Sequence, residues 1–249
     1  MERLEKVVAI SKKYALKYGQ KLDSTQLFLR LISGKVYSEK TIKKYGEKRV
    51  KNLINERKIE LAEELVKKHL IKIKGIEMVG ITGSVAAEAA KKNEDIDLLI
   101  ITKADELWWN RLYLRIYVLI NQIPHRVFGK KEKENEFCFN LWLDENALEI
   151  PKSKRNLKNA MDLIMMKVIF DKDNSYQRFL AANKWVKEYL ATGYEYRKNG
   201  KKPKFQKQNK SEIKKIINRI LFWGQYLYMR TKSKKILVNL GQAFFHEDN

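Results

Sequence analysis

Apolar residues along the opening 46 positions follow a weak helical pattern, in which "DSTQLFLRLISGK" reads as a short capped helix ending near Gly34. From Glu47 to Lys72 the chain is charged and helix-prone, with Leu61, Ala62, Leu65, Val66 and His69 on one stripe. His69 is a packing position on that stripe. The period then changes. "IEMVGIT" (76–82) and "IDLLIIT" (96–102) are short apolar runs bounded by polar residues or glycine, as strands are. Between them the Ala-rich "SVAAEAAKK" predicts a helix, with Glu88 exposed on it. A helix is expected over 106–123, a short strand at "HRVF", and an alternating strand at "EFCFNLWLD" (136–144). Three helical faces follow: Leu157–Ala160–Met161–Ile164–Val168, Tyr176–Phe179–Leu180–Asn183–Val186–Leu190, and Ile213–Ile216–Ile217–Ile220–Gly224–Leu227. Their methionine and aromatic residues are expected in the core. The order predicts an α+β fold: an N-terminal helical segment at 1–72, a small mixed sheet at 73–150 and a basic, all-α C-terminal region at 151–249.

With 44% hydrophobic residues in 249, the chain can bury a real core, which argues against disorder. A single cysteine, Cys138, excludes an internal disulfide and suits a reducing, cytoplasmic compartment. "MERLEKVVAISKK" lacks the apolar run of a signal peptide, and no stretch matches a membrane span. The expectation is a cytoplasmic protein without a membrane partner.

Charge changes the picture more. Lys and Arg number 52 against 30 acids, a formal net charge of +22. Residues 191–235 hold fourteen basic side chains and two acids, Glu195 and Glu212. Drift toward lysine would raise the total, whereas clustering points to a polyanion partner such as RNA. Lys201, Lys202, Lys204, Lys207, Lys214 and Lys215 are the expected contacts, suited to phosphates rather than to bases.

The stretch "GITGSVAAEAAKKNEDIDLLIIT" (80–102) does not look like ordinary core. Asp95 and Asp97 stand two apart at the start of a strand, so their side chains share a face about 6.5 Å apart. Burying two like charges costs several kcal/mol per ion unless something positive compensates them. A divalent cation, or a pair roughly 3.5–4 Å apart, would do so. Oxygen ligands with no His or Cys cluster favour Mg²⁺ or Mn²⁺ over zinc; His125 and His246 have no ligand spacing. The bland alternative is a solvated strand start, with Glu94 one more surface acid. Upstream, Gly83-Ser84 ends one strand and opens the Ala-rich helix, where first-turn N–H groups and the Ser84 hydroxyl can bind a phosphate.

Gly83-Ser84, ten intervening residues and then Asp95-Ile96-Asp97-Leu98 resemble the signature of the nucleotidyltransferase superfamily of DNA polymerase beta and the minimal nucleotidyltransferases. "FCFNLWLDENALEIP" and "KRNLKNAMDLI" extend the similarity to predicted prokaryotic members over roughly residues 50–190. That resemblance implies a triphosphate held by Gly83 and Ser84. It implies a metal held by Asp95 and Asp97 that activates an attacking hydroxyl, and departure of pyrophosphate. It also implies a third carboxylate from a later strand, at whose position stands Asn140. Asp144, four residues on, is a substitute ligand or, on the bland view, a turn residue of "LDEN". The leading expectation is an Mg²⁺-dependent transfer of NMP from NTP to an acceptor hydroxyl, with RNA as acceptor or guide. Two other readings stay open: a non-catalytic nucleotide- or RNA-binding module of the same fold, and a partner protein of the toxin–antitoxin kind.

Overall fold

The computed structural model describes residues 4–127, 133–199, 212–232 and 236–245. The N-terminal segment forms α1 (Leu4–Leu16), α2 (Ser24–Leu29), α3 (Glu39–Lys43) and α4 (Leu53–Lys68). β1 (Ile76–Ile81), α5 (Gly83–Ala86), β2 (Ile96–Thr102), α6 (Leu107–Ile120) and β3 (Phe137–Asp144) follow. The remainder is α7 (Leu157–Met165), β4 (Lys167–Asp171), α8 (Ser175–Ala182), α9 (Lys187–Lys198), α10 (Glu212–Lys232), β5 (Leu237–Asn239) and β6 (Gln242–Phe244). The fold is α+β, a mixed sheet flanked by helices.

One six-stranded sheet runs in the order β4-β1-β2-β3-β6-β5. β1 is antiparallel to β2 and to β4, and β2 is parallel to β3. The sheet is larger than the apolar pattern predicts. β4 and the β5–β6 hairpin come from the C-terminal region expected to be all-α, because strands of three to five residues are too short for an alternation to show.

Both faces of the sheet are covered. On one, Ile96, Leu98, Ile100 and Trp142 pack with Ala62 and Val66 of α4, Trp108 and Val118 of α6, and Phe222 of α10. On the other, Leu99, Ile101 and Leu143 pack with Ile164 of α7, Phe179 of α8 and Tyr194 of α9. Leu29 of α2 joins this second cluster, so the apolar core crosses positions 72 and 150. The N-terminal segment keeps a small core of its own (Val7, Leu22, Leu27, Ile42). It docks on α9 through Ser33 N–H to Tyr189 O (2.8 Å) and Ala191 N–H to Ser33 O (2.9 Å). "DSTQ" caps α2 as its sequence predicts: the Asp23 carboxylate accepts from the Gln26 amide at 2.9 Å.

One helical expectation fails. "SVAAEAAKK" gives a single turn, α5, after which Glu88 adopts φ 61°. Tertiary ties override alanine's propensity: Glu88 accepts from Gln26 Nε2 (2.8 Å) and Lys167 Nζ (3.3 Å) and lies 3.5 Å from Arg49 Nη2, so it is a hub rather than a bare surface acid. On α10, the stripe Ile213–Ile216–Ile220–Leu227 faces outward, each residue more than half exposed. α10 meets α6 instead through Asn218, Phe222 and Gln225.

Candidate functional site

Antiparallel pairing of β1 and β2 brings the end of one beside the start of the other. Ile81 pairs with Leu98, and the Thr82 amide donates to Asp97 O at 2.9 Å. Parallel pairing then sets the start of β3 beside the start of β2, with Cys138 opposite Asp97. Gly83, Asp95, Asp97 and β3 therefore meet at one end of the sheet.

Gly83 has φ 63°, and a Cβ there would lie 2.5 Å from Asp97 Oδ2. Glycine is required twice over, by backbone conformation and by room. Because α5 is one turn long, the expected helix-terminus anion site reduces to the amides of the turn, with no extended helix dipole behind it.

The positive group beside the acid pair is Arg126. Its Nη1 donates to Asp95 Oδ2 at 2.9 Å, and Asp95 is only 6% exposed. The Arg126 amide also donates to Phe137 O at 3.0 Å, and His125 forms an isolated bridge to Phe137. "HRVF" therefore gives one bridge rather than a strand, and Phe128 lies outside the described residues. Lys58, 1% exposed on α4, holds the loop before β2 by donating to Glu94 O (2.5 Å), Lys92 O (3.3 Å) and Asn135 Oδ1 (3.2 Å). Neither residue is marked by a motif or by the apolar pattern. The one usable signal was the buried acid pair, which required a cation that side chains could supply.

Asn140 faces the pair, its Nδ2 donating to Asp97 Oδ1 at 2.8 Å. Asp144 does not face it. Between Asp97↔Cys138 and Leu99↔Leu141, β3 advances three residues while β2 advances two. This bulge breaks the alternation on which a shared face for Asn140 and Asp144 depends. Asp144 pairs with Thr102, at the far end of the strands and on the opposite face. There it accepts from the Asp105 amide (2.7 Å) and the Asn146 amide (2.8 Å), as a turn-forming aspartate does. Burial lifts its carboxyl from 3.8 to about 7, against those hydrogen bonds. The folded chain thus keeps a proton that the unfolded chain loses between about pH 4 and 7. Asp144's contribution to stability falls as pH rises through that window, by about 1.4 kcal/mol per unit. Asp144→Asn is expected to flatten the decline, gaining stability relative to wild type at pH 8 but not at pH 4. Thermal melts across pH check this, and the variant should retain any transfer activity.

Could this end of the sheet hold a cation? Oxygens of Asp95 and Asp97 and the Cys138 Sγ lie within 4.8 Å of one another. Burial, then Asp97 and Asp95, push the Cys138 thiol far above its ordinary pKa. Without a cation the thiol keeps its proton, and the two carboxylates supply the oxygens of the cluster. That donor set, with the Asn140 amide beside it, fits a hard divalent cation.

The acid pair and the Gly83 turn open on a cavity of about 360 Å³, within the range of small-molecule sites. Its walls also include Lys154 just before α7, Lys158 in its first turn, and Tyr14, Gln20 and Arg30 from the N-terminal segment, none of which a motif marks. Of the polyanion contacts, Lys214 pairs with Glu106 and Lys215 with Glu212 (2.7 Å). Lys201, Lys202, Lys204 and Lys207 lie outside the described residues. Among the described residues no helix is long and apolar enough to cross a membrane.

Residues 58–159, from within α4 to within α7, match the family model of the nucleotidyltransferase domain. That span contains Gly83, Ser84, Asp95, Asp97, Arg126 and Asn140. No curated protein matches the chain.

Proposed function

We propose, from a chain whose residues 58–159 match the nucleotidyltransferase domain model, that this protein transfers NMP from an NTP to an acceptor hydroxyl with the help of Mg²⁺. The acceptor oxygen forms a bond to the α-phosphorus while the bond from that phosphorus to the bridging oxygen breaks, and pyrophosphate leaves. The observation carrying the reading is the contact of Gly83 with Asp97: the absent Cβ lets the Gly83-Ser84 turn close directly onto the acid pair. Mg²⁺ held by Asp95 and Asp97 would lower the pKa of the attacking hydroxyl and offset charge on the α-phosphate.

The side chains have distinct tasks. Asp97 is oriented by the Asn140 amide, and Asp95 by Arg126. The Ser84 hydroxyl and the amides of the turn, which line the cavity, would bind phosphate oxygens. The fourteen basic residues of 191–235 supply the argument for RNA as acceptor or guide. Incubating the protein with labelled NTPs, Mg²⁺ and total cellular RNA tests the reading; label in RNA, lost on chelation, is the expected result.

Asn140 favours a second reading, a module that binds NTP without transferring it, since an amide adds no negative charge to the site. Asn140→Asp separates the two. It sets a third carboxylate about 2.8 Å from Asp97, so the metal-free protein should melt lower and Mg²⁺ should restore it. Tighter Mg²⁺ binding with increased transfer is expected of an enzyme. NTP binding with no transfer by either form would leave the binding module.

A further inference from the structure

Arg30 ends α2 and is 3% exposed, yet its Nε and Nη1 are buried without a hydrogen-bond acceptor among the described residues. A guanidinium stays charged at any pH the fold survives, so these donors retain the cost of leaving water. Asp162 and Glu88 act on it through space, but Glu88 is already engaged by Gln26 and Lys167. Arg30 lines the same cavity as Gly83 and Ser84.

Gln20 is the second such residue. Its Nε2 donates to Ala87 O at 2.6 Å, just after the Gly83 turn, which fixes the side chain. Its Oε1 is buried and receives no donor among the described residues. Tyr14 and Tyr18, with ring centroids 5.5 Å apart, line the same part of the cavity. The wall thus offers unused donors on a cation, one unused acceptor and two aromatic rings.

We propose that Arg30 and Gln20 form a phosphate subsite in this cavity. Arg30 donates to phosphate oxygens, and Gln20 accepts from a hydroxyl on the same ligand. A nucleotide carries both groups, and the tyrosines suit its base. Only the choice of phosphate among oxyanions rests on the nucleotidyltransferase reading. Two sources present this chemistry: the phosphate tail of the NTP and a phosphate on the acceptor strand.

Calorimetric titrations of the full-length protein, in chelator and without transfer, distinguish them. The probes are inorganic triphosphate and one trinucleotide bearing either a 5′-phosphate or a 5′-hydroxyl. Losing hydrogen bonds to a charged group should make Arg30→Gln bind a phosphate probe roughly 10- to 100-fold more weakly, with the 5′-hydroxyl trinucleotide unchanged. A loss on triphosphate assigns the subsite to the NTP, and a loss on the 5′-phosphorylated strand assigns it to the acceptor. Gln20→Leu should weaken the 5′-phosphorylated strand, whose ribose supplies the hydroxyl, if the subsite takes the acceptor. Should Arg30→Gln not fold, Arg30→Lys, which keeps the charge but not the donor geometry, carries the same comparison. The proposal is overturned if wild type binds neither phosphate probe, if both affinities survive the Arg30 substitution, or if the 5′-hydroxyl strand is weakened equally. Absence of transfer by wild type would sink the enzyme reading and leave this measurement standing.

Discussion

Asp97→Asn is expected to remove transfer while leaving the fold in place. Asp97 stands where three strands' worth of constraints meet: its carbonyl accepts from Thr82, its carboxylate accepts from Asn140, and Gly83 abuts its Oδ2. The substitution keeps the side chain's shape and an oxygen for the Asn140 amide. It removes the charge. A cation's contribution to the transition state is several kcal/mol, so transfer should fall on the order of a thousandfold. Without metal, the change relieves repulsion with Asp95, and the melting temperature should hold or rise. Pyrophosphate release and a thermal melt measure the two effects. A large loss of stability without metal would make Asp97 a structural residue and remove the site argument.

Gly83→Ala should damage both stability and activity, for separable reasons. At φ 63° an alanine is strained by about 1–2 kcal/mol, which lowers the melting temperature by roughly 2–8 °C. The new methyl would also start 2.5 Å from Asp97 Oδ2 and must displace that carboxylate or the turn. Misplacing a reacting group by about 1 Å costs on the order of a hundredfold in rate. NTP affinity, read by calorimetry without metal, should weaken as well, because the methyl displaces the turn that would hold the phosphate. Unchanged NTP affinity and transfer would separate the turn from the site.

Some of the site was legible in the residues because it is local. A strand puts positions i and i+2 on one face whatever surrounds it, so Asp95 and Asp97 were paired by spacing alone. A glycine closing one strand, with acids opening the next, needs only a short connection to bring the two together. The capped α2 was legible in the same way, since "DSTQ" satisfies its own amides. These are relations within a few residues, or between adjacent strands.

Relations across the sheet were not legible. Arg126 reaches Asp95 through one backbone bridge to β3, and no periodicity announces a bridge. The face of Asp144 turned on a single bulged residue in β3, which reverses every later side chain. Alanine propensity favoured a helix after Gly83, but Glu88's ties to Gln26 and Lys167 stopped it after one turn. The apolar stripe of α10 marks a helix, and which way it faces depends on where α6 lies.

What the sequence by itself determined was the acid pair, the glycine turn before it, the α+β class and the basic surplus, because local backbone geometry and composition settle each of them. Only the tertiary structure decided which cation stands beside Asp95, that Asp144 lies away from the site, and that Arg30 and Gln20 of the N-terminal segment wall the same cavity as Gly83. Those outcomes depend on strand register and long-range packing, where one residue's shift changes every neighbour.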